Sequence, residues 1–280
     1  MLPAGIYYGS TVNTVTATMG WWGKLVGGTF GFMMGGPLGA LLGAAIGHSF
    51  DKGLNADSAP GIGNQERVQT AFFTATFSVM GHIAKADGQV SASEIAMAER
   101  IIAEMKLDTD QRKTAINLFN EGKSRDFPLD DVLTQFRKEC HRRNTLIQMF
   151  IEIQLHAMYA DGRADAAERA VIEKIAYTLG IPGFIMRQLE ALVQTQYQHQ
   201  HQGGTQASNR TSLEDARRVL GVSANDDQAT VKKAYRRLMN QHHPDKLVAK
   251  GLPEEMVKLA SEKTHEIKMA YEAIKRAKGW

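Results

Sequence analysis

An all-α protein in three helical parts is the architecture that this 280-residue chain predicts, and three observations carry that reading. Residues 25–47 form an uncharged run punctuated by glycine. Residues 68–108 and 142–182 repeat one helical hairpin at an offset of 74. From residue 212 to 280, apolar positions recur at helical spacing on either side of a His-Pro-Asp corner. With 43% hydrophobic and 22% charged residues, the composition excludes wholesale disorder. Cys140, the single cysteine, excludes an intramolecular disulfide framework and any multi-cysteine zinc module, and fits a reducing compartment for most of the chain.

Charge and glycine are unevenly distributed. Residues 1–63 carry two basic and two acidic side chains, residues 64–208 sixteen and eighteen, and residues 209–280 fifteen and ten, so the net +3 belongs to the C-terminal quarter. Of the 26 glycines, ten lie between residues 20 and 47.

The first part, residues 20–50, reads as a single membrane-spanning helix. Its 23 uncharged residues from Leu25 to Gly47 would span roughly 34 Å as a helix, against a hydrocarbon core of about 30 Å. Trp21, Trp22 and Lys24 suit one membrane interface, Asp51 and Lys52 the other. A cleaved signal peptide fits less well, because the run is too long and lacks a positive leading segment. Seven glycines from Gly23 to Gly47 fall at intervals of four. Glycine at that spacing lets a second backbone approach, so a homodimer through Gly27, Gly31, Gly35, Gly39 and Gly43 is expected, with Pro37 adding a kink. Residues 1–19 read as an upstream extension or periplasmic tail; Met19, directly before Gly20-Trp21-Trp22-Gly23-Lys24, reads as the initiator.

The second part, residues 64–193, is built from the duplicated hairpin. His82-x-x-x-Ala86-Asp87-Gly88-x-x-x-Ala92-x-Glu94 matches His156-x-x-x-Ala160-Asp161-Gly162-x-x-x-Ala166-x-Glu168. In each copy Asp-Gly ends the first helix, and Ser91 or Asp165, with an acid three residues on, caps the second. Thr114–Asn120 and Val132–Phe136 read as further short helices parted by Phe127-Pro128. His82 and His156 read as packed or half-exposed groups, and Cys140 as a small hydrophobe. This pairing resembles the TerB-like, tellurite-resistance domain. The resemblance implies a metal site at Asp87, Glu94, Asp161 and Glu168; capping and the helix dipole account for these acids without metal, and no cofactor is expected. Residues 194–211, rich in glutamine with one Gly-Gly, read as a flexible tether.

In the third part, residues 212–280, Thr211 or Ser212 caps a short helix ended by Gly221. A second helix from about Asp227 to His242 places Val231, Ala234, Tyr235, Leu238 and Met239 on an apolar face, with Lys232, Lys233, Arg236 and Arg237 opposite. Pro244 stops it. A third runs from about Pro253 to Lys275. The string VLGVSANDDQATVKKAYRRLMNQHHPDK, residues 219–246, resembles a J-domain. The order of parts along the chain is similar to the bacterial membrane-anchored DnaJ-like co-chaperones. That resemblance implies a protein that is not an enzyme and that docks on ATP-bound DnaK-type chaperone and stimulates its hydrolysis. His243, Pro244 and Asp245 would form the stimulating corner, and Lys232, Lys233, Arg236 and Arg237 the docking face.

Two departures stand out: the tyrosine pair usual in the first helix is replaced around Ala216 and Arg217, and Leu247–Leu252 lengthens the loop. No Gly/Phe-rich segment and no cysteine repeats follow. A basic face beside a rigid turn suits an acidic partner approached by long-range attraction. Nucleic acid is not expected, since ten acids dilute the fifteen basic residues. The alternative is an envelope scaffold or sensor acting mainly through the TerB-like domain. Charge flanking the span gives little orientation bias. The cytoplasmic place of DnaK implies a single-pass inner-membrane protein, contacting membrane lipid through one helix, with its N-terminus periplasmic and its bulk cytoplasmic.

Overall fold

The structure, a computed structural model, describes residues 36–47, 64–88, 90, 92–105, 107–159, 164–201 and 213–280, and every regular element among them is helical. In order, these are α1 (Gly36–Gly47), α2 (Asn64–Ala84), α3 (Ala92–Glu104), α4 (Thr109–Gly122), α5 (Leu129–Glu139), α6 (Asn144–Met158), α7 (Ala166–Leu179) and α8 (Gly183–His201). Then come α9 (Leu213–Leu220), α10 (Gln228–His242), α11 (Pro244–Ala249), a 3₁₀ turn (Glu254–Met256) and α12 (Val257–Lys278).

Helix α2 is the axis of the central bundle. Every residue from Val68 to Ala84 except His82 is buried, so this helix is covered on all sides, as an apolar helix inside a bundle must be. Two of its interior hydroxyls are accommodated locally, Thr70 Oγ1 donating to the Glu66 carbonyl at 2.9 Å and Ser78 Oγ to the Thr74 carbonyl at 2.8 Å, whereas Thr74 Oγ1 and Thr76 Oγ1 are buried without a partner among the described residues. Phe72 meets Phe136 of α5 and Phe150 of α6 with ring centroids 6.0 and 6.4 Å apart, in tilted and edge-on geometries.

The tightest crossing is between α2 and α4. A Cβ on Gly81 would stand 1.9 Å from the Phe119 carbonyl oxygen, and one on Gly122 would stand 1.8 Å from that of Ser78. Backbone therefore lies directly on backbone at both positions, and only glycine fits.

The repeated hairpins appear as α2–α3 and α6–α7. Asp165 caps α7 by accepting from Ala167 N, and Glu168 reaches back to Asp165 N at 2.9 Å. Ser91 and Asp161 lie outside the described residues. Helices α4 and α5 occupy the two short stretches anticipated between the copies, and Asp108 supplies α4 with a full capping box. Tyr159, next to the second Asp-Gly turn, is 1% exposed. Its hydroxyl donates to Glu190 of α8 at 2.8 Å and accepts from Arg169 at 3.2 Å. Burial and the Glu190 hydrogen bond push that phenol up to about 12.

Two expectations change. Pro37 stands in the first turn of α1, after Gly36 at φ +66°, and so starts a helix rather than kinking one, because a first-turn residue needs no backbone donor. Helix α8 continues through His201, into the stretch read as a tether. Residues 194–201 hold neither glycine nor proline, and Leu192 and Val193 are locked into two different cores, which anchors the helix ahead of them.

Gly81→Ala and Gly122→Ala are each expected to destabilise the bundle by at least about 2 kcal/mol through overpacking. Gly43→Ala, whose added Cβ meets nothing within 4 Å, should be neutral or stabilising by up to about 1 kcal/mol. Chemical denaturation of the purified variants reads all three; an unperturbed Gly81→Ala would refute the crossing.

Candidate functional site

The C-terminal domain has its own small core. Ala216, Val219 and Leu220 of α9, Val231 of α10 and Ile267, Ala270 and Ile274 of α12 are buried together. Tyr235 and Leu238 pack against them, and Tyr235 stacks on Tyr271 at 4.3 Å between centroids. Asp227 caps α10 by accepting from Thr230 N at 2.8 Å, which fixes the start and thereby the rotation of this helix. Lys232, Lys233, Arg236 and Arg237 are exposed on its outer side, as the spacing predicts.

The His-Pro-Asp corner is a two-way junction. His243, at φ −60° and ψ 124°, ends α10 and at the same time heads α11, with Pro244 at the first helical position. The His243 carbonyl accepts from Lys246 N at 3.0 Å and Leu247 N at 3.1 Å. Lys246 Nζ reaches back to the Asn240 side chain across the turn. Thus the corner is braced through its backbone while its side chains face outward: His243 is 50% and Asp245 91% exposed, with Nδ1 and Oδ2 3.8 Å apart. The corner thus places an exposed imidazole and an exposed carboxylate on the same domain as the exposed basic side chains of α10.

Leu247–Leu252, the lengthened loop, has a structural task. It forms α11 and a turn that seat the C-terminal domain on the central bundle. Leu247 and Leu252 are fully buried and belong to the bundle's core rather than to their own domain's core. Gln65 Nε2 donates to the Val248 carbonyl at 3.0 Å, and Gln69 Nε2 to that of Leu252 at 3.4 Å. Gly251, at φ +102°, rides against Val68: a Cβ there would meet Val68 Cγ1 at 2.6 Å. The sequence marks this segment only as an excess over what a small hairpin needs; its apolar content is the signal that something else receives it.

A second anchor lies further along α12. Lys263 Nζ sits 2.7 Å from Glu152 of α6 and 3.0 Å from Glu266, with Lys263 and Glu152 side chains 13% and 15% exposed. Burial opposes the charge on Lys263, but the Glu152 and Glu266 carboxylates outweigh it and hold the ammonium above its usual pKa. Conversely, Lys263 and His156 outweigh burial at Glu152 and hold that carboxyl below its usual range. Glu152, His156, Leu259 and Lys263 line a cleft along this seam. His242, immediately before the exposed corner, is buried beside it, and its Nδ1 has no hydrogen-bond partner among the described residues. None of Gln65, Gln69, Glu152 or Lys263 stands out in the sequence, because the contact joins positions more than 100 residues apart.

The remaining sequence candidates are distributed as follows. Asp87 is exposed, Glu168 is spent on the α7 cap, Asp161 lies outside the described residues and nothing is described of the Glu94 side chain. Among the described residues no three His, Cys, Asp or Glu side chains gather as a metal would need. Cys140 is fully buried, and burial pushes its thiol up to about 12, far from a reactive thiolate. His82 packs on Phe127 at 5.0 Å between ring centroids. Of the glycines assigned to a dimer face, Gly27, Gly31 and Gly35 lie outside the described residues, Gly39 is buried and Gly43 exposed. Helix α1 has 12 residues, about 18 Å of helix, and among the described residues no helix is long and apolar enough to cross a membrane.

Three imidazoles share one sign of pH dependence. Burial lowers His242, His156 and His82 below their usual 6.5, and at the seam this wins over the raising effect of Glu152. Below that usual value the unfolded chain binds protons that the folded one resists, so stability declines as pH falls from about 7 toward 5. The melting temperature should drop over that interval, and the double variant His156→Gln/His242→Gln should flatten the decline. A melting temperature that rises on acidification would refute the assignment.

Comparison with known proteins agrees with this geometry. A family model described as tellurite resistance protein TerB matches residues 73–191, and a DnaJ domain model matches residues 216–278. A model described as the co-chaperone DjlA transmembrane domain matches residues 19–57. The chain is 45% identical to the co-chaperone protein DjlA of Escherichia coli strain K12, over 98% of this chain and 99% of that one. It is 46% identical to its Vibrio parahaemolyticus counterpart, over 92% and 98% of the two chains, and 44% identical to that of Salmonella typhimurium, over 98% and 99%. No solved structure gives a significant match. With similarity running the length of both chains and an outward-facing His-Pro-Asp corner on a DnaJ domain, the chain belongs to the DjlA family of J-domain co-chaperones.

Proposed function

We propose that this protein is a membrane-anchored co-chaperone that recruits a cytoplasmic DnaK-type ATPase to the inner membrane and stimulates hydrolysis of its bound ATP. The observation that carries the reading is the corner itself: His243 and Asp245 stand exposed on a braced turn, next to the exposed Lys232, Lys233, Arg236 and Arg237. The basic side chains steer an acidic partner surface from a distance, an effect weakened by salt. The corner then presents one imidazole and one carboxylate in a geometry fixed by the shared α10–α11 junction. The protein needs no reaction of its own, since the chemistry belongs to the partner.

The anchor in this proposal is the uncharged stretch within residues 19–57, which the family comparison supports. Once in a bilayer, its glycines at four-residue spacing allow two copies to pack backbone to backbone as a homodimer. The N-terminus then lies in the periplasm, and the bundle and J-domain lie beside DnaK in the cytoplasm.

Purified protein in detergent should raise the steady-state ATPase of DnaK several-fold, and His243→Gln should remove this with an unchanged circular-dichroism spectrum. Wild type without stimulation would refute the co-chaperone reading. Protease added to intact spheroplasts should spare the J-domain; digestion of the J-domain from outside would overturn the topology.

A further inference from the structure

We propose, on the membrane reading given above, that the end of the central bundle formed by the α5–α6 and α7–α8 turns is a contact surface for anionic phospholipid headgroups, laid on the leaflet from which the anchor emerges.

The charge comes from one short segment. Arg137, Lys138, Arg142 and Arg143 fall within seven residues, and Glu139 is the one acid among them. That acid is already taken, by Arg67 of α2 at 2.7 Å. Two of the arginines are held by neutral acceptors: Arg137 Nη1 donates to the Thr178 carbonyl at 2.9 Å and Arg143 Nη1 to that of Glu139 at 3.2 Å. Their positions are therefore fixed while their charge is not cancelled. Lys138 and Arg142 are exposed, and among the described residues neither forms an ion pair. Arg142 has φ +61°, the one non-glycine residue described in the left-handed region. Glycine or asparagine would adopt that conformation at lower cost, so stability does not account for an arginine there.

The apolar part adjoins it. Arg137 bridges to the α7–α8 turn, where a Cβ on Gly180 would stand 3.1 Å from its Nη2. Tyr177 and Phe184 flank that turn, 86% and 63% exposed, the most exposed of the described large apolar side chains. Pro182 between them is exposed too, and the exposed Arg187 lies against Gly183, where a Cβ would meet its Nη1 at 3.5 Å. Two aromatic rings left in water beside uncancelled positive charge match the chemistry of a bilayer interface. Rings of this kind settle at headgroup level, and basic side chains draw in anionic headgroups.

The place of this patch in the chain favours lipid over another partner. Arg67, in the first turn of α2, pairs with the last residue of α5, so α2 starts at the same end of the bundle. Six residues, 58–63, separate that helix from the segment matched to a transmembrane model. Fully extended, such a link reaches roughly 25 Å. The end that carries the patch is thus the end tied to the anchor. An anchor by itself leaves the bundle free to swivel. A second contact through the patch removes that freedom. Because the J-domain is seated on the bundle through Leu247, Leu252 and the Lys263–Glu152 pair, the same contact sets the direction of the His-Pro-Asp corner.

The test uses the full chain in nanodiscs of phosphatidylcholine alone, or of phosphatidylcholine and phosphatidylglycerol in equal parts. Gly183→Cys carries a fluorophore between the two rings, where the added Cβ makes only an ordinary contact with Arg187. Cys140 is buried and does not react. Quenching by headgroup-labelled lipids should rise when phosphatidylglycerol is present and fall again in molar salt. Lys138→Ala and Arg142→Gly should each shift the equilibrium away from the quenched state roughly fivefold, the worth of one charge near an anionic leaflet. Lys138→Arg should leave it in place, and Phe184→Ser should weaken it. Arg142→Gly suits the backbone at that position, so its effect is not a loss of fold. A chain retained by phosphatidylcholine discs whose quenching is indifferent to phosphatidylglycerol, or to both charge variants, overturns the patch and leaves the anchor intact. A chain not retained by those discs, yet retained and quenched by the anionic ones through Lys138 and Arg142, supports the patch and overturns the anchor. Retention by neither overturns both. Duplex DNA bound through Lys138 and Arg142, with no quenching by either disc, would make this a nucleic-acid surface and overturn the lipid assignment.

Discussion

The contact of α2 with α4 at Gly81 and Gly122 is the constraint on which the rest of this structure depends. Two helices approaching backbone to backbone leave no room for side chains between them, and that close approach lets α2 be enclosed from Val68 to Ala84, His82 excepted. Once α2 is the axis, its start at Gln65, Val68 and Gln69 becomes the seat for Gly251 and the two leucines that hold the C-terminal domain. Helices α4 and α5, placed around the same axis, provide the side chains that cap α1 at both ends. The bundle is thus the body to which both α1 and the J-domain are attached.

The two attachments differ in chemistry. The J-domain is held by buried leucines, by carbonyl groups taken up by two glutamines and by a mostly buried Lys263–Glu152 pair. An ion pair so placed adds little net stability over a matched apolar pair, but breaking it is costly, so it acts mainly to fix which face of α12 meets α6. Neither attachment covers the basic face of α10 or the outward side chains of the corner. The fold therefore fixes the J-domain's orientation while leaving the corner and the basic face uncovered.

Several features were legible in the residues alone. The hairpin duplication, the cap at Asp165, the extents of α9 and α10 and the exposure of Lys232, Lys233, Arg236 and Arg237 all follow from local rules: spacing, capping and the effect of proline. Gly81 stands where, at the 74-residue offset, the second copy has Leu155. The loop Leu247–Leu252 was visible as an excess but not as an anchor.

By itself the sequence determined that the protein is helical, that its central part is a doubled hairpin, and that a His-Pro-Asp corner follows a basic amphipathic helix. Each of these depends on residues within one or two turns of each other, where backbone geometry and side-chain polarity decide. Only the tertiary structure decided that α8 bridges two cores, that Lys263 finds Glu152 and that Gly36–Gly47 can lie on the bundle. Those outcomes depend on which surfaces meet, and burial is a property of the pair: leucines at helical spacing signal that a face will be covered, but the covering surface is chosen by shape, by two amide caps and by two glycines brought together from different helices.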